Sequence, residues 1–282
     1  MTDTSLYIQA LALDLDPAWR RLPVEERCAD ARAFAAAHAR ATDDGVVSFS
    51  YTMVGLQPGA ELLFWRMGPS LESLEVAASR LLLAGAGRWM RVRHSLLGRI
   101  APSEYVRKPT VQEQSMFSGE RSRYIIVYPF TKSAEWFLLP REARQKAMNE
   151  HMRVGHEYPS VRQLLAYSFG IDDQDFVVAY ETDEMGVFSD LVRALRGTEG
   201  RRSTVSDTPI LTAIRRPLGE ALQLLSGAEV AACLEGVERA GTAEGAGTST
   251  APAAAGVAPA AARAAATDGA GTTAPSAAAA TR

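Results

Sequence analysis

The sequence predicts an α+β fold of two tandem βαββαβ repeats. Two observations carry that prediction: the chain repeats itself, and each repeat shows the same order of strand and helix signals. The stretch from Tyr124 to Gly170 restates the framework of a segment near the N-terminus. Subtracting 117 aligns Tyr124 with Tyr7, Ile125 with Ile8, Trp136 with Trp19, Leu139 and Pro140 with Leu22 and Pro23, Glu142 with Glu25, and Arg144 with Arg27. After a two-residue change in loop length, Gly170 answers to Gly55 and the apolar run Phe176–Tyr180 is matched with Glu61–Trp65.

In the first repeat the helical signals lie near Pro23–Ala41 and Leu71–Leu83. In the second, Arg123–Phe130 is rich in β-branched and aromatic residues that alternate. Tyr124, Ile126 and Tyr128 therefore point to one side of a strand, and Ile125 and Val127 to the other. Tyr128 is expected to end that strand, with Pro129 leading into a loop that holds Lys132. Pro140 suits the first turn of a helix running to about Glu157. Strands Val161–Phe169 and Phe176–Glu181 follow, joined across Gly170, Ile171, Asp172 and Asp173. A helix at Met185–Arg196 has Met185, Phe188, Leu191, Val192 and Leu195 as its apolar face, and Pro209–Arg215 makes a last strand. This order is the split βαβ, ferredoxin-like arrangement. Two such units are expected to join their sheets into a dimeric α+β barrel with the helices outside. The repeats would span residues 1–105 and 124–238, with a linker at 106–123.

Composition bounds the function. Lys and Arg total 30 against 33 Asp and Glu in 282 residues, with no basic block to follow a phosphate backbone, which argues against nucleic acid as a partner. Cys28 and Cys233 lie far apart and form no CxxC, so the spacing gives no sign of a disulfide framework or zinc site, and a reducing compartment is expected. The N-terminus lacks a basic n-region, and Asp14 and Asp16 interrupt its apolar run, so a cytoplasmic location is expected. Residues 239–282 are nearly all Ala, Gly, Thr, Pro and Ser, with Val257 the only large aliphatic side chain, so this tail is expected to be disordered.

What the two copies share is scaffold, and what only one has is where chemistry is to be sought. Tyr128 aligns with Leu11, Lys132 with Leu15, His151 with Phe34, and Gln163 with Ser48, so the second copy holds the reactive groups. Trp136 has a counterpart in Trp19 and is read as packing. On the second copy's first helix, Ala143, Ala147, His151, Gly155 and Tyr158 recur at spacings of four and three, which places His151 in the inward stripe. His156 lies about 140° further around the axis and should face solvent. A histidine on an apolar helix face is more often a hydrogen-bonded core residue than a ligand. Here the counterpart Phe34 shows that the scaffold accepts a plain hydrophobe, so His151 needs another reason. With no second His, Cys or carboxylate at ligand spacing on that stripe, a single axial bond to haem iron is the economical use of one buried imidazole.

The run Tyr128-Pro129-Phe130-Thr131-Lys132, the segment Trp136–Pro140, the Arg/Glu-rich helix carrying His151, and Gly170–Asp173 followed by Phe176–Glu181 together resemble the chlorite dismutase family, including its coproheme decarboxylases. The resemblance implies that His151 binds the iron and that Glu199 supplies the carboxylate accepting from its other nitrogen. It also implies a homopentamer. Counting back seven from Gly170 puts Gln163 at the distal position. The segment between Tyr158 and Gly170 is one residue shorter than in familiar members, so Arg162 and Leu164 stay open as alternatives. Tyr128 matches the decarboxylase tyrosine and Lys132 the lysine that accompanies it. The implied activity is conversion of iron coproporphyrin III, both substrate and cofactor, to protohaem by hydrogen peroxide, with loss of two propionate carboxyls and contact with an upstream chelatase. Chlorite or peroxide decomposition with Arg162 as distal cation, and haem carriage without turnover, are the rival readings. An additional distal histidine, expected of actinobacterial decarboxylases, has only His38 and His94 as upstream candidates.

Overall fold

The structure, a computed structural model, describes residues 6–101, 103–105 and 121–234. The tail expected at 239–282 and most of the linker expected at 106–123 lie outside them. The first repeat runs β1 (Leu6–Leu15), α1 (Val24–Ala39), β2 (Val47–Thr52), β3 (Leu62–Gly68), α2 (Leu71–Leu83) and β4 (Met90–Ile100). The second runs β5 (Tyr124–Lys132), α3 (Ala134–Leu138), α4 (Arg141–His156), β6 (Arg162–Tyr167), β7 (Phe176–Thr182), α5 (Met185–Leu195), α6 (Glu199–Arg202), β8 (Thr204–Ser206) and β9 (Leu211–Arg215). Two further helices, α7 (Leu218–Ser226) and α8 (Ala231–Leu234), follow. The fold is α+β, as expected.

The duplication is visible in the elements. Helices α1 and α4 are each 16 residues long, and each starts directly after a proline, Pro23 at φ −50° and Pro140 at φ −54°. Each carries acid in its first turn, where the helix dipole favours it. The strands form one antiparallel sheet in the order β7-β6-β4-β1-β3-β2-β9-β5-β8, and β7 also pairs with β5, which closes the sheet on itself. Alternate residues of each strand fill the interior, among them Ile8, Ala10, Trp65, Ile125, Val127 and Ala179. The other alternate residues face outward under helices. In the first half Leu13 and Phe64 lie beneath α1, and in the second Ile126, Val178 and Tyr180 lie with Phe188 and Leu191 of α5.

Strand pairing corrects the expected alignment at one place. Tyr7 pairs with Gly68 and Tyr124 with Thr182, so the true counterpart of Phe176 is Leu62, and that of Tyr180 is Arg66. Matching Phe176 with Glu61 would put outward-facing Tyr180 in the place of inward-facing Trp65. A one-residue slip exchanges the faces of a strand, so burial rules it out. Ser48 pairs with Arg66 and Gln163 with Tyr180, so the match of Gln163 with Ser48 holds. Gly55 and Gly170, at φ 70° and 69°, make the same left-handed turn in each copy.

Two further expectations are corrected. Lys132 is not in a loop: β5 continues through Pro129, which pairs with Val177, and ends at Lys132. The proline is tolerated because β9 stops pairing at Val127 and β8 begins at Thr131, so the strand's other side has no ladder at Pro129. Cys28 and Cys233, expected to stay apart, form a disulfide. The expectation failed because α7 and α8 fold back onto the first repeat: Leu218, Ala221, Leu222, Leu225 and Leu234 join the cluster beneath α1, and this carries Cys233 to Cys28. No helix among the described residues is long and apolar enough to cross a membrane.

Candidate active site

Tyr128 projects from the outward face of β5, opposite Val178 of β7. The period of two that puts Ile125 and Val127 in the interior dictates this facing. Its ring stacks on that of Tyr180, with centroids 5.9 Å apart and planes at 25°. Burial raises its pKa, and a hydrogen bond with Tyr180 acts in the opposite direction. Beside it Asp207 holds two cations, Arg196 at 3.1 Å and Arg201 at 3.0 Å.

Lys132 is held at both ends. Its backbone N–H donates to Asp175 Oδ2 at 2.7 Å; its Nζ donates to the Gly200 carbonyl at 2.5 Å and to Thr204 Oγ1 at 3.2 Å. The ammonium sits 4.6 Å from the Trp136 ring centroid, so that buried ring, read from sequence as packing, also faces a site residue. Burial first, and then the Arg201 charge, bring the Lys132 pKa down to about 8.

His151 lies on α4 one turn from Ala147 and is half-buried, while His156 is exposed, as their positions on the helix dictate. Ala143, expected in the same stripe, is exposed. The short helix α6 passes close to His151: a Cβ added at Gly200 would lie 4.0 Å from His151 Nδ1 and from the Ala147 carbonyl. Burial lowers the His151 pKa, the Lys132 charge lowers it further, and Glu150 opposes both. These surroundings favour the neutral imidazole, the form that can bind a metal. Glu150 also accepts the Glu199 backbone N–H at 2.9 Å, fastening α6 to α4. The Glu199 carboxylate is itself exposed and pairs with Arg202 at 3.4 Å.

Gln163 shares the outward face of β6 with Leu165, and stands beside Tyr180 in register. Arg162 and Leu164 point the other way. Arg162 donates to Glu181 Oε2 at 2.8 Å, and that wholly buried carboxylate also takes Arg121 at 3.2 Å and the Tyr51 hydroxyl at 3.1 Å. The structure thus brings Lys132, Gly200 and His151 together, sets Gln163, Tyr180 and Tyr128 along one sheet face, and leaves the Glu199 side chain in solvent. His38 bonds Ser48 at 3.0 Å in the first half, and His94 sits on β4 opposite Ala12. Sequence reasoning missed Tyr180, Glu150 and Asp207. Tyr180 was recoverable by the same subtraction with the correct register, since its counterpart is Arg66.

The corresponding place in the first repeat is filled by its own side chains. Phe34 packs on Phe64 at 6.1 Å, His38 lies 5.1 Å from the same ring, and Arg66 donates to Gln9 at 2.6 Å and to the Leu74 carbonyl at 3.1 Å. Helix α1 buries Arg27, Cys28, Ala31, Phe34, Ala35 and Ala37, whereas α4 buries Ala147 alone.

Residues 25–216 match the family model for chlorite dismutase. Over 183 residues the chain is 32% identical to the coproheme decarboxylase of Mycolicibacterium smegmatis, covering 61% of this chain and 75% of that enzyme. The chlorite dismutase of Candidatus Nitrospira defluvii, solved in complex with imidazole, superimposes with a TM-score of 0.67 at 28% identity, over 80% of this chain and 97% of that one. A mutant of the same enzyme gives 0.70 at 29% identity, over 78% and 95%. With the family match covering most of the chain, and the same duplicated α+β scaffold beneath it, the chain belongs to the chlorite dismutase family.

Proposed function

We propose that this protein is a coproheme decarboxylase, with His151 as the axial ligand to the iron of its porphyrin substrate. The observation that carries the reading is the exchange of Phe34 for His151 at one position of a repeated scaffold, on a helix that buries a single side chain. Such a helix can accommodate a flat apolar ring beside it, and His151 offers that ring a neutral nitrogen. The porphyrin iron supplies peroxide activation, and the protein supplies position and charge. Tyr128 carries hydrogen: as a radical it takes a hydrogen atom from a propionate side chain, after which carbon dioxide leaves and a vinyl group remains. Each propionate consumes one hydrogen peroxide and one proton and yields one carbon dioxide and two waters. Lys132, with Arg196 and Arg201 nearby, orients the carboxylate and can pass a proton, its pKa of about 8 lying close to neutrality. Gln163 lies on the distal side. Glu199 remains the proposed carboxylate for the ligand's other nitrogen, reached by turning from Arg202. A cytoplasmic homopentamer that takes its substrate from a chelatase completes the proposal.

Chlorite decomposition would need a cation at the distal position held here by Gln163, and Arg162, its candidate, is engaged by Glu181 in the interior. The test is product mass after mixing the protein with ferric coproporphyrin III and hydrogen peroxide. Mono- and divinyl products are expected. Oxygen release from chlorite without vinyl products would overturn the proposal.

A further inference from the structure

We propose that Tyr180 is the positioning residue for Tyr128: its hydroxyl donates to the Tyr128 oxygen, which leaves Tyr128's own hydrogen free for a bound ligand. The inference rests on the reading of Tyr128 as hydrogen carrier and adds a second tyrosine to it. Three features of the fold support it. The two rings are stacked at 5.9 Å and 25° on the outward face of β5 and β7. Tyr180 is 4% exposed and wedged against Phe188 at 5.2 Å, so its hydroxyl is best satisfied by a partner inside the protein. Its counterpart in the first repeat is Arg66, so the tyrosine pair, like His151, belongs only to the second half.

Direction follows from the surroundings. Tyr180 is the more deeply enclosed, and burial holds its proton on far more firmly than in an ordinary phenol. Around Tyr128 the Asp207 charge is met by Arg196 and Arg201, and the contact between the two hydroxyls lowers the Tyr128 pKa while raising that of Tyr180, as expected when Tyr180 is the donor. A fixed donor and a polarised acceptor result. Without that bond the Tyr128 hydroxyl would turn freely about its C–O bond, and its oxygen would lose a group that stabilises charge. Gln163, beside Tyr180 in register, extends the polar row toward the distal side.

Ultraviolet resonance Raman spectra of the porphyrin-free protein test the pairing directly, because the tyrosine ring doublet distinguishes hydroxyls that donate from those that accept. In Tyr180→Phe the Tyr128 contribution should move from acceptor to donor character, and in Tyr128→Phe the Tyr180 contribution should lose its donor character. Kinetics supply the second readout: Tyr180→Phe should lower kcat about tenfold with KM for ferric coproporphyrin unchanged, the size of one ordinary hydrogen bond. If Tyr180→Phe fails to fold, the Tyr128→Phe spectrum still decides. Unchanged doublets in the variants that fold would overturn the pairing whatever the activity. Shifted doublets in a protein that makes no vinyl product would support the pairing and sink the decarboxylase reading instead.

Discussion

His151 and Phe34 stand at one position of two copies of a helix, and the difference between them can be tested one residue at a time. His151→Ala should abolish the Soret shift of bound ferric porphyrin or weaken binding well beyond the effect of His156→Ala, because only His151 lies on the inward side. Equal effects in a binding titration would refute His151 as ligand. Tyr128→Phe keeps the stacked ring and removes only the hydroxyl, so porphyrin should bind while mass analysis finds no vinyl product. His38 gives a prediction about pH. Burial, with the charges of Arg66 and Arg215 adding to it, lowers its pKa from 6.5 to about 4, while its ring bonds Ser48. The unfolded chain therefore binds a proton that the folded chain refuses. The stabilisation is complete above about pH 6.5 and is lost as pH falls toward 4, by up to about 3 kcal/mol. Urea unfolding across that range should show the loss, and His38→Gln should flatten it. Tyr128, Lys132, His151 and Gln163 could be proposed from the sequence because each replaces a different residue type in the other repeat. Glu150 and Asp207 could not, since charged residues on a helix flank or in a loop look like any solvated residue until the chain folds.

At the scale of elements, periodicity and punctuation revealed most of the architecture. Pro23 and Pro140 marked two helix starts, Gly55 and Gly170 two matching turns, and alternation gave the facing of β5. What stayed hidden was set by contacts between elements. The end of β5 at Lys132 depends on β8, a three-residue strand too short to carry a period. The register of β7 against β5 is fixed by pairing across the sheet and cannot be read along one strand. Close approach between elements yields another prediction. Gly85, between α2 and β4, has φ +46°, and a Cβ there would come within 2.0 Å of the Asp30 carbonyl oxygen on α1. Gly85→Ala should therefore cost about 1–3 kcal/mol, visible as a lower urea midpoint. A midpoint equal to wild type would mean that α1 and the turn are not in contact as described.

For the molecule as a whole, the disulfide is the feature that sequence reasoning misjudged, because spacing along the chain says nothing about an arm that doubles back. Cys28 and Cys233 are 205 positions apart, and closing so long a loop restricts the unfolded chain strongly. Cys28→Ser should lower unfolding free energy by about 2–4 kcal/mol, and added reductant should reduce the wild type to the same level. If neither changes the urea midpoint, the bond does not form in solution. The same arm bears on how the protein is made. The first repeat leaves the ribosome early, yet β2 acquires its second neighbour only with β9, and the apolar cluster beneath α1 is completed only with α7 and α8. During synthesis, then, the half that emerges first must wait with an open strand edge and an uncovered apolar surface, and it is the last to be finished.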